Sequence, residues 1–190
     1  AAPLKAALKI ILPHLTSNES YLLRFRQEAK VTQSLQHPGI VRFLDYGEEP
    51  VPHLALELVD CSLAEHLSEI GRLSVRAVLD LAIGIVEALA YAHDRKIIHR
   101  DLKPANILLR GKAPVVADFG LGREELEDTS ETRLTITGQA MGTPHYMAPE
   151  QINDSKHVGP GADVYSLGAI VFALLAGQPP FTGPTAKAFL

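Results

Sequence analysis

The apolar positions of this chain fall into short alternating runs and three longer stretches of helical period. Leu4-Lys5-Ala6-Ala7-Leu8-Lys9 alternates with a period of two, which places Leu4, Ala6 and Leu8 on one face of a strand and Lys5, Ala7 and Lys9 on the other. Leu22, Phe25, Ala29, Thr32 and Leu35 then recur at helical spacing until His37-Pro38-Gly39 stops them. Thr16 and Glu19 have capping-box spacing and predict the start of that helix. Residues 40–44 and 53–59 read as two strands joined through Gly47-Glu48-Glu49-Pro50. Ser62 and Glu65 repeat the capping-box spacing, so a short helix is expected to run from there to Gly71. Ser74 opens a longer helix whose Val78, Leu81, Ala82, Ile85, Leu89 and Ala92 form a wide apolar stripe ending near His93-Asp94. Two short strands follow, at 107–109 and 112–117. A final helix from Asp163 is apolar nearly all round, hence expected to be buried, and stops at Gly177 before Pro179-Pro180.

Between the long stripe and the first of the two late strands lies one polar octet, His99-Arg100-Asp101-Leu102-Lys103-Pro104-Ala105-Asn106. Apolar runs pin it at both ends and Pro104 stiffens its middle, so it reads as a tight loop. Asp101 can accept a proton, Asn106 offers an amide oxygen suited to a hard cation, and Lys103 places a positive charge between them. A base, a metal ligand and a counter-charge are the parts that phosphoryl transfer needs. The second strand, through Val115-Val116-Ala117, delivers Asp118 to the same end.

Composition narrows the picture. The chain has 190 residues with 46% hydrophobic, enough for a sizeable core and two lobes. A net charge of −4 gives no basic surplus for nucleic acid or an anionic membrane, so no nucleic-acid partner is expected. The single cysteine, Cys61, excludes an intrachain disulfide, fits a reducing, cytoplasmic setting and reads as a small buried hydrophobe. The apolar run at 164–176 is too short to span a bilayer, and no membrane segment is expected within the chain. The seven other histidines show no metal-ligand spacing.

The octet, followed in order by Asp118-Phe119-Gly120 and Ala148-Pro149-Glu150, resembles the signature set of eukaryotic-type (Hanks-type) protein kinases. Asp-Leu-Lys-Pro-Ala-Asn and Thr143 are similar to the Ser/Thr branch, and Ala-Pro-Glu-Gln with Gly-Gln-Pro-Pro-Phe to bacterial members. The resemblance implies an α+β, two-lobed protein-kinase-like fold, incomplete here, with the first small-lobe strands, the Gly-rich loop and the last large-lobe helices outside the chain. Residues 1–59 would be the small-lobe part and hinge, and residues 60–190 the large-lobe part. The lack of an initiator Met and the apolar pattern at the end lead to the same expectation, an internal piece of a longer protein.

The resemblance also implies roles. Ala6-Ala7-Leu8-Lys9 matches the family's Val-Ala-Ile-Lys: Ala7 borders adenine and Lys9 reaches the α- and β-phosphates. Glu28 pairs with Lys9. Leu35-Gln36-His37-Pro38-Gly39-Ile40-Val41 is similar to the loop that follows the pairing helix. Leu56 is the gatekeeper, and backbone groups of Glu57 and Val59 bond adenine. Asp60-Cys61-Ser62-Leu63 departs from the usual Gly-Gly-Ser-Leu. Asp101 is the base, Lys103 stabilises the γ-phosphate, Asn106 and Asp118 hold Mg²⁺, and His99 packs beneath the loop. Asp163 reaches back to the octet's backbone, and Arg100 binds a phosphorylated loop, with Thr135 and Thr137 as acceptors. The implied reaction takes ATP and Mg²⁺ and phosphorylates Ser/Thr hydroxyls of a protein substrate. A non-catalytic pseudokinase is the rival reading. It predicts loss of Lys9, Asp101, Asn106 or Asp118, and all four stand. A small-molecule phosphotransferase would lack the long segment closed by Ala-Pro-Glu.

Overall fold

The computed structural model describes residues 5–16, 18–119, 145–153 and 158–181. Gly120, the segment 122–139 with Thr135 and Thr137, and Thr143 lie outside them. Strand β1 (Ala6–Ile10), helix α1 (Glu19–Ser34), and strands β2 (Phe43–Gly47) and β3 (His53–Glu57) come first. Strand β4 (Cys61–Ser62), helices α2 (Leu63–Ile70) and α3 (Val75–Asp94), strands β5 (Ile107–Arg110) and β6 (Ala113–Val116), and helices α4 (Pro149–Asn153) and α5 (Gly161–Ala176) follow. The α+β class holds. One antiparallel sheet has the order β1-β3-β2 and a second the order β4-β5-β6.

Strand β6 joins two cores by strand alternation. Val115 and Ala117 pack with Phe25, Ala29, Leu54 and Leu56 beneath the first sheet. Val116, between them, packs with Ile85, Leu89, Ile107, Ile170 and Leu174 in the larger cluster. Helix α3 lies directly on β6, and Gly84 permits it: a Cβ there would meet Pro114 Cγ at 2.7 Å. The spacing of buried Val78, Leu81, Ile85, Leu89 and Ala92 is the sequence stripe, and Ala82 sits at its half-buried edge. Both Ser62, in a complete capping box with Glu65, and Ser74 cap their helices.

Three expectations are corrected. The cap of α1 is Asn18, whose side chain accepts from Ser20 N–H, and not Thr16. A 3₁₀ turn at Pro13–Leu15 takes the Thr16 hydroxyl onto the Pro13 carbonyl and delays the helix. The strand expected at 40–44 begins only at Phe43, because Val41 N–H bonds Val116 O at 2.9 Å and Val116 N–H bonds Gly39 O at 2.8 Å. Residues 39–41 therefore tie the two sheets together and do not extend the first. Helix α5 starts at Gly161 and is not buried all round: Val164, Phe172 and Leu175 are exposed, whereas Ile170, Ala173 and Leu174 are fully inside. Gly177, with φ 79°, closes it in the left-handed conformation expected of such a stop.

Candidate active site

Four elements bring the predicted polar residues to one cleft. Strand β1 turns Lys9 inward and leaves Leu8 and Ile10 more than half exposed, an inversion of the usual hydrophobic-in pattern. The inversion follows from the lysine's partners. Lys9 Nζ donates to Glu28 Oε1 at 2.5 Å and to Asp118 Oδ1 at 3.1 Å. Glu28 comes from the buried stripe of α1 and is 2% exposed. Thr32, one turn on, is buried and returns its hydroxyl to the Glu28 carbonyl. Burial alone lowers the Lys9 ammonium, but Asp118 and Glu28 more than offset this and hold it above the ordinary lysine value. Burial pushes the Glu28 carboxyl above the ordinary glutamate value, and Lys9 only partly counters that.

The octet forms the opposite wall. Asp101 Oδ2 accepts from Lys103 Nζ at 2.7 Å and from Asn106 Nδ2 at 3.1 Å. Asn106 Nδ2 also donates to the Asp101 carbonyl at 2.8 Å. With both amide hydrogens committed to Asp101, the Asn106 Oδ1 lone pairs remain for another donor or a cation. Arg100 and Asp118 both have positive φ, 63° and 62°, a conformation that costs an L-residue roughly 1–2 kcal/mol. Such strain persists only where the surroundings over-determine it, and it clusters at functional sites.

The surroundings of Arg100 are specific. Asp163, with no exposure, accepts from His99 N–H and Arg100 N–H, each at 2.9 Å, and from His93 Nε2 at 2.7 Å. Gln151 Nε2 donates to the Arg100 carbonyl at 2.6 Å. The His99 ring satisfies both nitrogens, with Nε2 donating to Ala117 O at 2.8 Å and Nδ1 accepting from Asp101 N–H at 3.3 Å. Its edge meets the buried Phe119 ring at 4.8 Å between centroids. Sequence reasoning does not single out His93 or Gln151. His93 continues the Ile85, Leu89 series at i+4, which is a usable signal; Gln151 offers only its place after Pro149-Glu150.

On the cleft's third side, Ala7 pairs with Leu56 in register, and Leu56 packs with Ala117 in the core beneath the first sheet. Glu57 N–H is taken by Arg42 O at 3.0 Å, while Val59 N–H makes no hydrogen bond within the described residues. No group of three or more His, Cys, Asp or Glu among the described residues is arranged to hold a metal. Asn106 and Asp118 supply only two ligating side chains, which fits an ion that keeps waters and substrate phosphates in its shell.

The arrangement is a lysine between two carboxylates facing a carboxylate held by a lysine and an asparagine. Comparison with known proteins decides what it belongs to: the protein kinase domain family matches residues 3–189. The chain belongs to the protein kinase family. Within it, this kinase domain is 38% identical over 96% of its length to serine/threonine-protein kinase PknB of Mycolicibacterium smegmatis. It is also 38% identical over 97% of its length to a probable serine/threonine-protein kinase of Streptomyces coelicolor, and 36% over 96% to serine/threonine-protein kinase PrkC of Bacillus subtilis. It is a bacterial Hanks-type kinase domain. The chain spans less than a third of those relatives, 30%, 28% and 28% of their lengths respectively. Among the described residues no helix is long and apolar enough to cross a membrane.

Proposed function

We propose that the protein transfers the γ-phosphoryl group of ATP to serine or threonine hydroxyls of a protein substrate, in the cytoplasm. The observation that carries this reading is the joined pair of constellations: Lys9 with Glu28 and Asp118, and Asp101 with Lys103 and Asn106. In this reading residues 1–59 and 60–190 act as the two lobes. Ala7 and Leu56 border the adenine, and the backbones of Glu57 and Val59 meet its edge. Lys9, fixed by Glu28, holds the α- and β-phosphates. Asn106 and Asp118 would hold magnesium, which when bound supplies positive charge that offsets the charge of the phosphates.

Asp101 orients the acceptor hydroxyl and takes its proton on the carboxylate oxygen that Lys103 and Asn106 leave open. The hydroxyl oxygen bonds the γ-phosphorus as the bond to the β-phosphate oxygen breaks, and ADP leaves. Lys103 lies close enough to Asp101 to share its charge between that carboxylate and the γ-phosphate. Asp163, with His93, keeps the loop in register, so the work is positioning and electrostatics more than covalent chemistry. Full-length protein incubated with labelled ATP and magnesium should place label on serine or threonine of itself or an added protein, and Lys9→Met should abolish it. Label transfer undiminished in Lys9→Met would overturn the reading.

A further inference from the structure

The hinge is gripped from behind by a turn that takes no part in the cleft. A carboxylate stands at each end of residues 57–60. Glu57 Oε1 accepts from Arg110 Nη2 at 2.6 Å and from Arg42 N–H at 2.9 Å. Arg110 Nη1 also donates to the Pro38 carbonyl at 3.2 Å. At the other end, Asp60 Oδ2 accepts from Gly111 N–H at 3.0 Å. Arg110 and Gly111 are consecutive residues at the closed end of the β5–β6 hairpin, whose open end presents Asn106 and Asp118. One hairpin thus carries cleft residues at one end and holds the hinge at the other.

Packing anchors the hinge at its flanks, through buried Leu56 and Leu63, and leaves space behind its middle. A cavity of about 810 Å³ lies behind it, lined by Leu35, His37, Pro38, Phe43, Glu57 and Arg110, and Leu58 is exposed. The strand ladder holds the hinge at Glu57, through its pairing with Ala6 and its N–H bond to Arg42 O, and the side-chain hydrogen bonds of Glu57 and Asp60 restrain residues 57–60 from behind. The geometry points to a clamp in which Arg110 and Asp60 hold the hinge backbone where its Glu57 and Val59 groups meet a purine edge. Both are positioning residues, and the inference rests on the reading of 57–59 as the adenine-binding segment. The Arg110 guanidinium is half exposed, and the less exposed Glu57 carboxylate keeps its bond from Arg42 N–H when Arg110 is lost, so that loss should cost little stability. Its effect belongs in preorganisation of the site, hence in nucleotide affinity and base discrimination.

The test measures ADP and GDP binding to the full-length protein. Arg110→Ala and Asp60→Ala should each weaken ADP by about three- to fivefold, the factor carried by a side-chain hydrogen bond of modest strength, and narrow the ADP-over-GDP preference. Arg110→Lys, which keeps a bond to Glu57 and loses the one to Pro38, should fall between. Arg76→Ala removes an exposed arginine paired with Asp80 on α3 and should leave affinity unchanged. Wild-type protein that binds no ADP would remove the adenine reading itself. Wild type that binds, with Arg110→Ala and Asp60→Ala binding as tightly and with the same base preference, overturns the clamp alone. So does an affinity loss matched by Arg76→Ala, or one that accompanies a comparable drop in the urea midpoint.

Discussion

Lys96 stands where a glycine would be at ease. Its φ is 63°, and it closes α3 with a complete Schellman pattern: Lys96 N–H to His93 O at 2.9 Å and Ile97 N–H to Ala92 O at 3.0 Å. The left-handed conformation strains a side-chain-bearing residue, whereas glycine loses more entropy on folding. Relief of the strain outweighs the entropy lost, so Lys96→Gly should stabilise by about 0.5–1 kcal/mol, read as a raised urea midpoint at constant slope. A lowered midpoint would contradict it. The Lys9–Glu28 pair gives a pH dependence with a definite sign. Lys9 is raised, so its favourable contribution is complete below the ordinary lysine value and is lost only as pH rises through the raised one. Glu28 is also raised, so folding favours its protonated form, and the pair fails first on the acid side, as pH falls through a value above the ordinary glutamate range. Nucleotide affinity should therefore show an acid limb placed above that range, and Glu28→Gln should flatten it. An identical limb in Glu28→Gln would assign it elsewhere.

At the scale of elements, the octet depends on α3 and α5. Asp163 brings three hydrogen bonds from α5 to the backbone before Asp101 and to the end of α3. Asp163→Ala strands two backbone N–H groups and a histidine nitrogen, and should lower stability by about 3–5 kcal/mol while reducing turnover. Chemical denaturation and steady-state kinetics on the same preparation check both, and a change under about 1 kcal/mol would show that the loop holds itself. Much of this is legible in the sequence. Asp101, Asn106 and Asp118 are visible because polar residues confined between apolar strands have few ordinary reasons to be there. The helices announce themselves through Ser62, Ser74 and Gly177. The strand at 40–44 is misplaced by pattern because Val41 is claimed by Val116, 75 positions on in the chain, and a local pattern carries no sign of such a partner. The inward turn of Lys9 is legible through the motif resemblance and hidden from periodicity alone, which separates its face from that of Leu8 while the choice of face depends on Glu28 and Asp118. Arg110 looks like an ordinary strand end.

For the molecule as a whole, the two cores meet at β6, and the cleft opens at the end of that strand. The residues that furnish it are backed by buried groups: His99 and Phe119 beside Asp101 and Asp118, Glu28 against Lys9, and Asp163 behind Arg100. In the proposed function the cleft divides nucleotide binding from proton removal, the first falling to Lys9 and Asp118 and the second to Asp101. Asp101→Asn in the full-length protein probes that division, with kcat and nucleotide Kd measured together. If the division holds, kcat falls by roughly 10²–10⁴-fold while Kd for ADP changes by less than about twofold. Wild-type turnover by Asp101→Asn, or a loss of affinity as large as the loss of kcat, would contradict it.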